Sequence, residues 1–441
     1  MYAQVAVENV NCTFDKDYDY SIPQQLEGKA LVGCRVAVPF GIGNRKRIGI
    51  ITRLTDSTQG KRIKSISAVL DEAPLLSNEM MSLARWISEQ TFCTYYEAVK
   101  AMLPAGINHK IIRSFCAVPG VDESVIASLD SDEKQVYDYL LSRSGYVKPE
   151  NFLKTLGFDV SSDIPERLLK VGLLAANDDA VRNIGDNNIR MVRLCEGADD
   201  IQMTKKQSEV VNVLKDVGSV SVKELCYFTG YTPSVISALE KKSVVECFER
   251  EELRSFVSRY AVQSAYDSGE IHLTDEQQKA YDGLLEDYKS GTGKTALLYG
   301  VTGSGKTSVY LKLIDTVLAD NKTVIVMVPE ISLTPQTLSV FHSRYNDGVA
   351  VFHSALSAGE RADEWKRVKN GDAKIVIGTR SAVFAPLENI GLIIIDEEQE
   401  HTYKSEQTPR YNAKSVARYR AAWHKGLTLL ASATPSVGAF A

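Results

Sequence analysis

Four residues of this chain have the types and spacing to handle a phosphorylated ligand: Lys306, Thr307, Asp396 and Glu397. Lys306 and Thr307 close the stretch Gly300-Val301-Thr302-Gly303-Ser304-Gly305-Lys306-Thr307, which reads G-x-x-x-x-G-K-T. Glycines at 300, 303 and 305 let the backbone turn with positive φ and bring its N–H groups up to an anion. Lys306 would then reach the β- and γ-phosphates of ATP, and the Thr307 hydroxyl would ligate Mg2+. Asp396 and Glu397 follow the apolar run Ile393-Ile394-Ile395. Asp396 would hold Mg2+ through water, and Glu397 would orient or deprotonate the attacking water. The bland readings are a glycine-rich turn and a solvated strand end. Finding both elements in one chain, each behind an apolar run, favours the paired catalytic reading.

These residues need elements to place them. Ala296-Leu297-Leu298-Tyr299 predicts a buried strand entering the loop. Tyr310, Leu313, Ile314, Val317 and Leu318 keep the spacing of a helix leaving it. That helix would aim its N-terminal dipole at the phosphates. From Leu273 onward, strand-like runs at 296–299, 324–328, 349–352, 374–377, 392–395 and 427–430 alternate with amphipathic stretches. The pattern predicts a doubly wound parallel α/β sheet with its ligand at the carboxyl ends of the strands. Thr274 and Gln277 fit a capping box; the functional alternative is that Gln277 grips the adenine edge. A second G-K-T, at Gly293-Lys294-Thr295, has Tyr288 in place of the first glycine and no apolar strand before it. It is expected to be an exposed loop.

The whole chain has 441 residues, 44% hydrophobic and 24% charged, which suits a soluble globular protein of about three domains. The formal net charge of -5 neither announces nor excludes nucleic-acid binding. No apolar run approaches the roughly 20 residues that span a bilayer, so no membrane association is expected. The start, Met1-Tyr2-Ala3-Gln4-Val5, lacks the pattern of a secretory signal. Seven cysteines, with no C-x-x-C, point to reduced thiols in a cytoplasmic protein rather than to zinc or disulfides. Residues 1–106 predict a small β-rich, barrel-like domain closed by a helix near 80–90, with Arg45-Lys46-Arg47 on a solvated turn. Residues 107–268 are α-rich and contain two passages like helix-turn-helix units, with loops at 177–179 and 197–200. Residues 269–441 form the nucleotide domain.

A longer series of motifs narrows the reading. Pro329-Glu330-Ile331-Ser332-Leu333-Thr334-Pro335-Gln336, then Phe352-His353-Ser354, Gly378-Thr379-Arg380-Ser381-Ala382-Val383-Phe384-Ala385-Pro386, Asp396-Glu397-Glu398-Gln399 and Ser432-Ala433-Thr434-Pro435 follow the phosphate loop. Tyr18-Asp19-Tyr20 and Val36-Ala37-Val38-Pro39-Phe40-Gly41 precede it. Together they resemble the primosomal protein N′ family, the replication-restart DNA helicases of bacteria, in helicase superfamily 2. The resemblance covers nearly the whole chain.

It implies a 3′-DNA-end-binding domain over 1–106, a winged-helix region over 107–268 and a RecA-like first helicase lobe over 269–441. It also implies an ATP- and Mg2+-dependent 3′–5′ helicase that recognises stalled forks and helps reload the replicative helicase. The implied partners are forked DNA, nascent 3′ ends, other primosome proteins and single-stranded-DNA-binding protein. By position, Tyr18, Asp19 and Lys64 match the 3′-end pocket. Thr334, Gln336, Thr379 and Arg380 match contacts to the DNA backbone. Tyr403, Lys404, Arg410 and Tyr411 match a DNA-sensing loop whose tyrosines would stack on bases. Ser432, Ala433 and Thr434 match the motif coupling hydrolysis to movement.

Two departures stand out. Gln399 occupies a place the family usually gives to histidine. The second lobe with its arginine finger, and the zinc-binding cysteine pairs of the complete family protein, are not found in these 441 residues. Slow turnover by this chain is therefore expected. Two rival readings are a fork-binding, nucleotide-binding module without turnover, and a restriction or transcription-coupled translocase of the same superfamily. The Pro329–Gln336 stretch and the N-terminal domain argue against the translocase.

Overall fold

The computed structural model describes residues 1–11, 15–41, 43–58, 62–121, 123–182, 188–195, 203–251 and 269–440. Alternating apolar residues build six strands from the N-terminal region. They are β1 (Tyr2–Val7), β2 (Tyr18–Ser21), β3 (Arg35–Phe40), β4 (Arg45–Thr55), β5 (Lys64–Ser65) and β6 (Ala68–Val69), in the order β5-β2-β1-β4-β3-β6. The edge strands β5 and β6 belong to one short stretch. One end pairs with β2 and the other with β3, so the sheet curls back on itself. Ala3, Val5, Val36, Val38 and Ile51 fill its interior. Gly49 lets β4 cross β1 closely, because a Cβ there would stand 2.4 Å from a Val5 methyl.

Two capped helices follow. Ser77 accepts from the Met80 N–H at the start of α1 (Asn78–Thr91), and Thr94 with Glu97 forms a capping box on α2 (Tyr95–Met102). The helix expected to close the barrel is α1, and its apolar face reaches further: Met80, Leu83 and Ile87, with Val99 and Met102 of α2, share one core with Ile325, Met327, Trp365 and Val416 of the nucleotide lobe. Ala6 and Ile50 join that core from the barrel. The helices are thus a layer between barrel and lobe. Gly106 permits the closest approach: a Cβ there would lie 2.0 Å from the Ala358 carbonyl oxygen.

The middle region holds two small units. In the first, β7 (His109–Ala117) pairs antiparallel with β8 (Leu174–Arg182) around α3 (Glu123–Ala127), α4 (Ser131–Leu141), α5 (Pro149–Thr155) and α6 (Ile164–Lys170). Phe115, Tyr137, Phe152 and Leu168 form its core. The loop expected at 177–179 is a correction, since these residues lie within β8. Arg113 grips the Asp178 carboxylate through Nε at 2.7 Å and Nη2 at 3.0 Å, and so holds an acidic stretch in a strand. The solvated turn expected at Arg45-Lys46-Arg47 is also corrected, since all three residues lie in β4, although Arg45 stays exposed. β4 starts at Arg45, which pairs with Glu166 at 3.0 Å, while Lys46 Nζ donates to the Asp178 carbonyl at 2.8 Å.

The second unit has β9 (Asn188–Leu194), α7 (Lys205–Val217), β10 (Ser219–Ser221), α8 (Val222–Thr229), α9 (Pro233–Lys241) and β11 (Val245–Glu251), with sheet order β10-β9-β11. The loop expected at 197–200 lies outside the described residues.

The last region opens with α10 (Asp275–Lys289). Six parallel strands follow: β12 (Thr295–Tyr299), β13 (Thr323–Met327), β14 (Val349–Phe352), β15 (Ile375–Gly378), β16 (Ile390–Asp396) and β17 (Leu427–Ser432). Their order is β12-β17-β16-β13-β15-β14, so every run read as a strand is one. The helices are α11 (Lys306–Ala319), α12 (Pro335–Tyr345), α13 (Ala358–Asn370) and α14 (Ala413–His424). Burial on both faces explains the unbroken Val and Ile content of β13 and β16. Among the described residues no helix is long and apolar enough to cross a membrane.

Candidate nucleotide and nucleic-acid site

The phosphate loop leaves the carboxyl end of β12. Gly303 and Gly305 both have φ of +79°, the left-handed conformation the sequence reading required of them. Gly305 is the N-cap of α11 and gives no side-chain cap, so the first N–H groups of the helix are left for a ligand. Lys306 Nζ folds over the loop and donates to the Gly300 carbonyl at 2.7 Å and to that of Val301 at 3.2 Å. Gln277 makes the expected capping box and also reaches the phosphate loop. Its Oε1 accepts from the Thr274 N–H at 3.0 Å, completing the capping box, and its Nε2 donates to the Ser304 carbonyl at 2.9 Å. The upstream helix is thereby tied to the phosphate loop. Lys294, in the second G-K-T, is exposed and pairs with Asp287 at 2.7 Å.

Asp396 ends β16, with β17 between it and the strand that carries the loop. Burial pushes its carboxyl up from the usual range, the charge of Glu397 adds to this, and Lys306 opposes it. Glu397 sits in the left-handed region at φ +46°, and its N–H donates to Asp396 Oδ1 at 3.1 Å. A half-sequestered acidic pair facing one lysine suits a divalent cation. Among the described residues no three His, Cys, Asp or Glu side chains gather as a metal cluster. The residues that could hold Mg2+ here are Thr307 and Asp396.

A line of hydrogen bonds runs from this pair. Gln399 Nε2 donates to Glu397 Oε2 at 2.8 Å, and its Oε1 accepts from Ser432 Oγ at 2.6 Å. Ser432 Oγ in turn accepts from the Thr434 N–H at 3.0 Å. An amide is suited to this place because it donates at one end, accepts at the other and does not titrate.

Glu398 carries a different load, which the sequence reading did not assign. It is fully buried, receives Lys414 Nζ at 2.8 Å and accepts from the Ser436 N–H at 2.6 Å. Burial pushes its carboxyl up, but these partners hold it below the usual range. The signal was present in the third acid of the run, which follows a buried strand and so needs a buried cation.

A groove of about 510 Å3 opens at the carboxyl ends of β13 and β15, lined by Glu330, Ser354, Thr379, Arg380, Thr402 and Lys404 among others. Thr334 is the N-cap of α12 and accepts from the Thr337 N–H, and Gln336 in the same first turn is exposed. Thr379 is mostly buried, its N–H donating to the Phe352 carbonyl. Arg380 Nη1 donates to the carbonyls of Thr402 and Lys404, at 3.1 and 2.6 Å, and so docks the 401–411 loop. Lys404 Nζ donates to the Arg410 carbonyl at 2.6 Å, and Arg410 itself is exposed.

The two tyrosines of that loop correct the sequence reading. Tyr403 is buried, its hydroxyl within hydrogen-bond distance of the Asp396 and Met327 carbonyls. Tyr411 packs edge-on against Phe384 at 4.7 Å. The loop folds back over the sheet end and uses both rings as core, so neither offers a face to a base.

At the first domain, Tyr18 meets Phe40 edge-on at 5.0 Å, and Asp19 Oδ2 accepts from Thr58 Oγ1 at 2.5 Å. Lys64, beside Tyr20 in the β2–β5 ladder, donates from Nζ to the Gly41 carbonyl at 2.6 Å. The three predicted end-binding residues therefore sit on neighbouring strands.

Comparison with known proteins agrees with this arrangement. A family model described as a 3′ DNA-binding domain (3′BD) of PriA matches residues 4–104, and a DEAD/DEAH box helicase model matches residues 274–439. The replication restart protein PriA of Bacillus subtilis (strain 168) is 35% identical over 100% of this chain and 54% of its own length. That of Synechocystis sp. is 32% identical over 95% of this chain and 50% of its own. The chain thus spans about half the length of the curated relatives it matches. Among solved structures, the Hef helicase domain of Pyrococcus furiosus aligns with 36% of this chain and 32% of its own at 19% identity, with a TM-score of 0.28 that bears no weight. With a 3′-end domain at one end, a helicase lobe at the other and relatives aligned through both, the chain belongs to the family of the replication restart protein PriA.

Proposed function

We propose that this chain recognises forked DNA with nascent 3′ ends and, as part of a 3′–5′ helicase of replication restart, couples ATP hydrolysis to strand movement. In this reading the two units over 109–251 act as winged-helix modules, and other primosome proteins and single-stranded-DNA-binding protein are the partners. Gly303, Gly305 and the first turn of α11 cradle the phosphates, and Lys306 swings from the loop carbonyls to the β- and γ-oxygens. Mg2+, when bound, neutralises charge on the transferring phosphoryl oxygens. Thr307 and Asp396 hold it, and Glu397 orients the attacking water. Thr334, Gln336, Thr379 and Arg380 line the path of the DNA backbone.

The observation that carries the proposal is the hydrogen-bonded line Glu397–Gln399–Ser432–Thr434, which joins the water-positioning acid to the coupling motif. The test is phosphate release by the 441-residue chain with and without forked DNA. DNA-dependent release that disappears in Glu397→Gln supports coupling. Tight nucleotide binding with no release under either condition would instead favour the module without turnover.

A further inference from the structure

We infer that a cavity between the first domain and the nucleotide lobe holds a single nucleobase of a DNA strand lying in the groove beside it. This rests on the reading of that groove as the DNA path. The cavity measures about 260 Å3 and is lined by Leu103 and Ala105 from the first domain and by His353, Arg361, Trp365 and Ser381 from the lobe. It is smaller than the roughly 300–1,000 Å3 of sites for drug-sized ligands, and so suits one ring system.

Its side-chain nitrogens offer donors. Arg361 Nε is buried and has no hydrogen-bond partner among the described residues. His353 Nδ1 accepts from the Ala355 N–H at 3.2 Å, which leaves Nε2 as the donor the ring has to offer. A buried N–H without an acceptor is costly, which calls for a ligand that brings one. Base edges carry carbonyl and ring-nitrogen acceptors. A phosphate would also accept, but it would leave the apolar walls of Leu103 and Trp365 facing a charge.

Position supplies the second argument. Ser381 lines both the cavity and the DNA groove, and His353 of the cavity adjoins Ser354 of the groove. Arg380 and Ser381 share one 3-10 turn, Arg380–Phe384. A backbone held at Thr379 and Arg380 therefore passes the cavity mouth, and a base turned outward from it enters between the two domains.

The test uses the full chain and fluorescence anisotropy at fixed salt, since phosphate contacts make affinity salt-dependent. The probes are an oligothymidylate of about twenty nucleotides, longer than the footprint of a single binding module, and an abasic oligonucleotide of equal length. Ala105 is exposed, so Ala105→Trp can fill the mouth without disturbing the core. The expected result is that Ala105→Trp and Arg361→Met weaken thymidylate binding by about fivefold to about a hundredfold, the range for losing one stacked base. Abasic binding should be unchanged, and retained ATP affinity reports that each variant is folded. If Arg361→Met does not fold, Ala105→Trp alone decides. Unchanged thymidylate binding by Ala105→Trp overturns the proposal, and so does equal weakening of both probes, which would mark a phosphate contact. Failure of the parent chain to bind either probe refutes the groove reading itself.

Discussion

Arg420 offers the most demanding test of how the first domain and the nucleotide lobe are joined. It lies on α14 with its side chain wholly buried and uses all five guanidinium donors. Nε and Nη2 reach the Glu79 carboxylate at 2.7 and 2.9 Å, while Nη1 and Nη2 reach the carbonyls of Val383, Ala385 and Leu387. Glu79, in the first turn of α1, is 5% exposed. His424 Nε2 adds a contact at 3.3 Å, in ion-pair range but outside hydrogen-bond geometry. Burial alone would push the Glu79 carboxyl up, yet Arg420, and then His424, bring it down from 4.5 to about 2. A drop of that size corresponds to about 3 kcal/mol. Removing one partner of a buried pair typically costs about 3–5 kcal/mol, because the other charge stays buried. Arg420→Met should therefore ease the separation of α1 from α14 by about that much. Hydrogen exchange of the α1 amides reads this local opening directly, with protection falling more than about a hundredfold. Glu79→Leu combined with Arg420→Met should recover part of the loss, since no charge is left unpaired. The pH dependence has a definite sign. A depressed carboxyl stabilises above its unfolded value and loses that contribution as pH falls from about 4.5 towards about 2. A loss below about 1 kcal/mol in the single variant, or strict additivity in the double, would refute the reasoning.

Other perturbations probe the site. Lys306→Ala should abolish binding of a fluorescent ATP analogue, whereas Lys294→Ala, which loses only an exposed pair with Asp287, should leave the affinity unchanged; equal losses in the two would reverse the assignment of the phosphate loop. Gln399→Leu should preserve nucleotide affinity but lower DNA stimulation of phosphate release at least about tenfold, because Glu397 and Ser432 lose their common partner; an unchanged stimulation ratio would remove the line from the mechanism. The full chain should prefer a 3′-hydroxyl DNA end to a 3′-phosphate, with Asp19 accepting from the hydroxyl and repelling the phosphate. Anisotropy with matched oligonucleotides checks this, and a preference that survives in Asp19→Ala would discard the pocket.

The nucleotide lobe was legible because its signals are local. Each strand is a continuous apolar run with sharp ends, and the phosphate loop needs glycines whose φ the sequence can dictate. The misreadings arise where tertiary contacts decide the outcome. Asp178 looks like a loop residue until Arg113 is placed opposite it across a ladder. Tyr403 and Tyr411, in a stretch that also holds Lys404 and Arg410, have the composition of a stacking surface. Composition does not tell which face of a folded-back loop meets the core.

Arg420 shows where a stronger reading was available. Val416, Ala417 and Ala421 surround it at helical spacing, so a helix over 413–424 puts the arginine on its apolar face. A charge there is tolerated only if paired, so the sequence alone calls for an acid on another buried surface. Glu79 is such an acid, one residue before Met80 and four before Leu83 on the buried face of α1. Nothing local joins two positions 341 residues apart. The odd charge on each apolar stripe is nevertheless a statement that the two stripes need each other. That is why the helices assigned to the first domain turn out to be the layer on which the nucleotide lobe rests.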